Sequence, residues 1–184
     1  MIDIVVQALW FMFPAYTTGP GAVFLGGGRR MDSGRLAKDG RPLLGKGKTW
    51  RGFFGGMLTG IFTGSVLAVL SRMYSLPVTD FRLGEGVLEC ITALLLISLG
   101  AMLGDLMGSY IKRRMGIESG GRLPFMDQLD FVFGTWLLLA AAAPSWFFSV
   151  FTAWHAIFIL VFTPVAHRIT NIAGYYLGKK EVPW

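Results

Sequence analysis

Three aspartates and a run of cations share the stretch GDLMGSYIKRRMGIESGGRLPFMDQLDFVFG, residues 104–134. If the apolar run ahead of it continues as a helix, Asp105, Ser109, Lys112 and Arg113 fall at i, i+4, i+7 and i+8 and share one face. An acid, a hydroxyl and two cations then line up along it. After a glycine-rich break from Glu118 to Arg122 and then Pro124, the next helix opens with Asp127 and Asp130 on one face. Three carboxylates at the ends of two adjacent antiparallel helices form an oxygen-rich site suited to Mg²⁺, which takes one or two carboxylates and substrate phosphates. The plainer alternative is that Asp127 caps its helix while Asp105 pairs with Arg113 across two turns.

A second chemical stretch precedes this one. GGGRRMDSGRLAKDGRPLLGKGKTWRGFFGG, residues 26–56, is rich in glycine and cations and contains Gly47, Lys48, Thr49 and Arg51 in close succession. Glycines let backbone N–H groups approach phosphates, and Lys, Thr and Arg supply further donors. It is not a P-loop: Gly40-x4-Gly45-Lys46 is followed by glycine, and the second Gly-Lys-Thr has Pro42 where the first glycine belongs. A loop that only meets anionic headgroups would need the cations but neither the glycines nor the threonine.

Further along, His167 and Asn171 lie at i, i+4 beside Arg168. They read either as groups facing a ligand or as polar links between helices. No Ser/His/Asp or Cys/His set is visible. If the nucleophile is a phosphate monoester, its second pKa near 6 makes it a dianion at neutral pH. It then needs no general base, and metal, cations and positioning suffice.

The elements that must hold these groups are greasy. Of 184 residues, 53% are hydrophobic and 15% charged, and the mean hydropathy is +0.55, which marks a polytopic membrane protein. Apolar stretches of membrane-crossing length occur at Val5–Leu25, Phe53–Leu70, Val87–Met107, Leu129–Phe148 and Trp154–Leu177. Pro144, Ser145, Trp146 and Trp154 mark a tight hairpin between the last two. The expectation is an all-α integral membrane protein of five transmembrane helices forming one domain over 1–184.

Of the 17 Lys and Arg, all but Arg72 and Arg82 fall on one face of such a bundle. Basic residues stay cytoplasmic, so the two long loops and the C-terminus are expected there, with the N-terminus outside and the aspartates facing the cytoplasm. The start, MIDIVVQALW, is acidic where a secretory signal is basic, and reads as a retained helix. Cys90 is alone and reads as packing.

Ser109-x2-Lys112-Arg113, then Pro124, then Asp127-x2-Asp130 resembles the signature of the phosphatidate cytidylyltransferases, membrane enzymes that make a CDP-lipid from CTP. Those enzymes carry a Gly-His-Gly-Gly insert after the proline and an Arg after the first aspartate, where this chain has Phe125-Met126 and Gln128. Gly-Lys-x-Lys-Thr-x-Arg-Gly after the first helix, His167-Arg168-x2-Asn171 near the end and Pro183-Trp184 at the terminus resemble more closely the archaeal relatives, the CDP-archaeol synthase family. That resemblance spans nearly the whole chain. It implies transfer of CMP from CTP to 2,3-bis-O-geranylgeranylglycerol 1-phosphate, with release of pyrophosphate, in membrane phospholipid biosynthesis. It implies Mg²⁺ on Asp105, Asp127 and Asp130, and Lys48–Arg51 with Lys112 and Arg113 around the triphosphate. Ser109 and the backbone near Gly116 and Ile117 are candidates to read the base, with His167 and Asn171 closing the pocket.

Two other readings remain at this point. A CDP-alcohol phosphotransferase needs Asp-x2-Asp-Gly-x2-Ala-Arg, whereas Asp130 here runs into Phe131-Val132-Phe133. An anion transporter or channel would use the basic loop as a funnel, but would be expected to carry polar residues in the middle of several spans. The partners expected are CTP, a lipid phosphate and membrane lipids, with no nucleic acid.

Overall fold

The computed structural model describes residues 2–74 and 86–178. Arg82, Pro183 and Trp184, named above, lie outside the described residues, as do Lys179 and Lys180. The elements are α1 (Ile2–Phe24), α2 (Trp50–Met73), α3 (Val87–Arg114), α4 (Met126–Ala142), α5 (Pro144–Val150) and α6 (Ala153–Tyr176). Among the described residues the only β structure is two isolated bridges, Arg30 with Thr49 and Leu36 with Pro42, both inside the loop between α1 and α2.

Three of these helices, α2, α3 and α6, are long and apolar enough to cross a membrane. Their outward faces are apolar too: Phe62 is 68% exposed and Val161 69%. In water such faces would be a liability, whereas in hydrocarbon they match the solvent. With no gain from burying Leu against Leu rather than lipid, helix pairing must come from close backbone approach.

That approach is what the glycines allow. The most intimate pairings are α3 with α4 and α1 with α2. A methyl group on Gly104 of α3 would press into the backbone carbonyl of Asp130 on α4, with Phe131 Cα 3.0 Å away. Thr135 reinforces the contact, its hydroxyl lying 2.8 Å from the Phe131 carbonyl and 3.3 Å from that of Ile97 on α3. Phe11, Met12, Leu94, Ile97, Leu139 and Ile159 fill the space between helices.

The helix boundaries follow local chemistry. Thr49 caps α2, its side chain accepting from Gly52 N at 3.1 Å. α3 runs on to Arg114 without a break, so the acid-to-cation face expected from its spacing does form a continuous helix. The expected fourth span, Leu129–Phe148, needs correction: α4 stops at Ala142 and the hairpin is filled by the seven-residue α5. Ala143, at φ −143° and ψ 59°, is held out of helical geometry by the proline that follows it. Pro144 then starts α5, where its missing N–H costs nothing.

Candidate active site

Lys48 and Asp105 form the centre of the site. Nζ of Lys48 lies 2.6 Å from both carboxylate oxygens of Asp105, across 57 residues of sequence. The alternative pairing of Asp105 with Arg113 does not form. Asp127 is held by a second lysine, with Lys112 Nζ 2.8 Å from Oδ1 and also 2.9 Å from the Gly121 carbonyl. The other oxygen of Asp127 accepts from Leu123 N at 2.9 Å. Asp127 therefore ties down the loop before α4, and the N-cap position belongs to Phe125, which makes no side-chain cap bond.

Phe125 has φ 63° and ψ −47°, and Met126 N reaches the Pro124 carbonyl at 2.8 Å. This is a strained three-residue turn, of the kind that costs about 1–3 kcal/mol and persists only where its surroundings enforce it. Here the Leu123 bond to Asp127 and the Asp127 N bond to Leu123 O, 3.0 Å, close around it. The turn aims both aspartates of α4 at α3.

Asp130 is different from the other two. Its Oδ1 accepts only from the adjacent Phe131 N, at 2.7 Å, and no ion pair to it forms among the described residues. Its side chain lies over Gly108, where a methyl group would press into Oδ2 and meet Cβ and Cγ at 3.0 Å. Asp105 and Asp127 are its like-charged neighbours and Lys48 its cationic one.

Two cavities meet at these groups. One, of about 1280 Å³, is walled by the two long loops and by Ser109, Lys112 and Arg113. The other, of about 620 Å³, runs between α1 and α6 and is walled mostly by apolar groups such as Ala15, Pro20, Val23, Phe24 and Leu177. Gly47, Lys48, Asp105, Asp127, Asp130, His167 and Asn171 line both.

Arg113 adds an anion-binding group to the polar cavity. It is 4% exposed and its Nε is a buried donor with no acceptor among the described residues, which is costly unless an anion supplies one. His167 stacks on Phe131, with ring centroids 6.5 Å apart, and its Nδ1 lies 3.1 Å from Asn171 Nδ2. Thr49 lines the apolar cavity, with its oxygen already engaged as a cap. Arg51 lines neither cavity and rests against Gly28.

Among the described residues no three His, Cys, Asp or Glu groups converge as a ready metal cage. The donor chemistry nevertheless suits Mg²⁺. It is all oxygen, it includes Asp130 with no cation paired to it, and it borders a cavity lined with cations. Mg²⁺ needs only one or two carboxylates when phosphates and water complete its shell.

Two features escaped the sequence reading. The glycines at 100, 104 and 108 recur every four residues, a visible signal for close helix approach. Asp32, buried beneath the first loop, had only the turn signal Asp-Ser-Gly to mark it.

A family profile described as CarS-like: CDP-archaeol synthase matches residues 1–184. A CDP-archaeol synthase of Methanosarcina acetivorans is 43% identical over 176 residues, covering 94% of this chain and 100% of the relative. One of Archaeoglobus fulgidus is 38% identical over 190 residues, covering 100% of both. A solved structure described as an intramembrane enzyme for archaeal membrane lipids biosynthesis superposes with a TM-score of 0.74 at 32% identity, covering 91% of this chain and 94% of that one.

Proposed function

This chain belongs to the CDP-archaeol synthase family, and on that premise we propose that its two cavities are the two halves of one active site. The chain is a membrane cytidylyltransferase that forms CDP-archaeol in archaeal lipid biosynthesis. The anion-channel and CDP-alcohol phosphotransferase readings therefore fall away. The observation that carries the proposal is the shared wall: a polar cavity lined by loop cations and an apolar cavity between helices meet at Lys48, Asp105, Asp127 and Asp130.

In this reading CTP occupies the polar cavity, with Lys112 and Arg113 on its triphosphate and Ser109 near the base. The isoprenoid chains of the lipid phosphate occupy the apolar cavity and the bilayer beyond it. Its phosphate reaches the junction, where Lys48 touches both substrates' phosphates. A lipid phosphate oxygen attacks the α-phosphorus of CTP in line; the new oxygen–phosphorus bond forms as the bond to the β-phosphate bridge breaks, and pyrophosphate leaves with that electron pair. The attacking group is already anionic, so the site needs no general base. Cations fixed before the reaction stabilise the charge that gathers on pyrophosphate. Mg²⁺ would be held by carboxylates from Asp105, Asp127 and Asp130, and would neutralise phosphate charge when bound.

We further propose that α1, α2, α3, α4 and α6 all cross the membrane, with the N-terminus outside and the junction facing the cytoplasm. The basic loops support that orientation, since Arg72 is the one described Lys or Arg on the opposite face. The test of the function is pyrophosphate release by the purified protein with CTP, Mg²⁺ and either the ether-linked or an ester-linked lipid phosphate, beside Asp105→Asn and Asp130→Asn. Turnover that needs both substrates and is abolished by both folded variants supports the reading. Turnover that survives both substitutions removes the aspartates from the chemistry.

A further inference from the structure

One ionisable group beneath the first loop has no part in the reaction as described. The side chain of Asp32 is 0% exposed. Its Oδ1 accepts from Gly34 N at 3.0 Å, and its Oδ2 from Leu44 N at 3.3 Å and Gly45 N at 3.1 Å. Arg30 approaches from the loop surface, with Nε 3.3 Å from Oδ1. Burial by itself would push this carboxyl up, but the three backbone N–H groups and the Arg30 charge outweigh it and hold the group below the usual carboxylate range.

A buried carboxylate is costly unless its lone pairs are filled, and two of the groups that fill these come from 12 and 13 residues along the chain. They immediately precede Lys46-Gly47-Lys48. The far end of that stretch is pinned as well: Arg30 bridges Thr49, Met31 N donates to Lys48 O at 2.9 Å, and Trp50 N donates to Arg29 O at 3.2 Å. Gly45, at φ +103°, sits against the Arg113 guanidinium and the Ser119 hydroxyl of the second loop. Between the two anchors, Lys48 N reaches Gly45 O at 3.4 Å, while the N–H groups of Lys46 and Gly47 have no acceptor among the described residues. Both residues line the polar cavity.

We propose that Asp32 is a positioning residue for the nucleotide: by holding Leu44 and Gly45 it sets the Lys46–Gly47 stretch at the cavity wall as a backbone cradle for the phosphates of CTP. The inference rests on the cytidylyltransferase reading above and extends it to a residue that touches neither substrate. Asparagine keeps the shape of Asp32 but loses its negative charge and replaces one acceptor oxygen with N–H donors, so it cannot receive the Gly34 amide and the Leu44 and Gly45 amides together.

The test is steady-state kinetics of full-length Asp32→Asn in detergent, varying CTP and lipid phosphate separately. Hydrogen bonds to a charged group are stronger than those to a neutral one, so the KM for CTP should rise at least about tenfold while that for the lipid phosphate stays within about twofold. A merely structural role would lower the amount of folded enzyme and leave both KM values alone. An unchanged KM for CTP, or an equal rise for both substrates, overturns the inference. Hydrogen exchange on the wild-type protein provides a second arm should the variant not fold. The amides of Leu44 and Gly45 should be protected before any ligand is added, and those of Lys46 and Gly47 only once CTP is present. Exposed Leu44 and Gly45 amides in a wild-type enzyme that turns over CTP would sink the Asp32 role alone, whereas wild-type enzyme that neither binds nor turns over CTP would sink the functional reading.

Discussion

Gly104 and Gly108 lie one turn apart on the same face of α3 and meet the same residue of α4, yet their alanine variants should fail in different ways. At Gly104 the added methyl group presses into the Asp130 carbonyl, which belongs to a helix backbone, and has Phe131 Cα 3.0 Å away. The helices must part by roughly 1 Å, and overpacking of this kind costs about 1–3 kcal/mol. At Gly108 the methyl group presses into the Asp130 carboxylate, with its Cβ and Cγ 3.0 Å away. A side chain can swing aside, so the loss of stability should be smaller. The displaced group is the one carboxylate of the three with no lysine attached, and a misplacement of about 1 Å at a reacting centre costs on the order of 10²-fold in rate. Thermal unfolding in detergent and pyrophosphate release, measured on both variants, separate the two effects. Gly104→Ala should lower the midpoint by about 2–4 °C for each kcal/mol lost and reduce activity with it. Gly108→Ala should keep most of its midpoint and lose about 10²-fold in kcat. Wild-type kcat in Gly108→Ala would refute the placement of Asp130 at the reacting centre.

Lys48→Met removes the cation that bridges the two cavities and strips Asp105 of both its 2.6 Å contacts, so kcat should fall by about 10²–10³; a loss below about tenfold in pyrophosphate release would show that Lys48 is only a structural partner of Asp105. Gly47 is not in the left-handed region and an added methyl group meets nothing within 4 Å, so Gly47→Ala should leave thermal unfolding unchanged and raise the KM for CTP, the space being the ligand's. The carboxyl of Asp32 is held below its ordinary value, so its contribution is fully present above the unfolded pKa of about 3.9 and is lost as pH falls through the lower folded value. The difference in unfolding midpoint between wild type and Asp32→Asn should therefore be flat from about pH 8 to 5 and shrink only below about pH 4; a difference that shrinks near neutrality would contradict the buried, hydrogen-bonded carboxylate. Asp39 in the first loop pairs with Arg114 at the end of α3, and Asp39→Asn should leave the midpoint unchanged, because Arg114 keeps its bonds to the Arg41 and Pro42 carbonyls.

The sequence by itself determined what depends on near neighbours. Runs of apolar residues specified helices, because a helix closes its own hydrogen bonds and its solvent-facing pattern repeats every few residues. Asp105, Ser109, Lys112 and Arg113 were on one face for the same reason. Even the end of α4 at Ala142 was marked by Pro144, although the helix breaks there more sharply than hydropathy alone indicated. The tertiary structure decided everything that joins distant residues. Asp105 takes Lys48 from 57 positions away instead of Arg113 two turns along its own helix; Asp32 serves Leu44 and Gly45; Arg51 turns to Gly28 and leaves the site. Charge and spacing name the groups that can pair, but which of them do pair depends on how closely the helices approach. Here that approach is set by glycine against backbone, as at Gly104 and Asp130, and it is the packing of the helices and loops around this contact that brings a polar and an apolar cavity to a common wall.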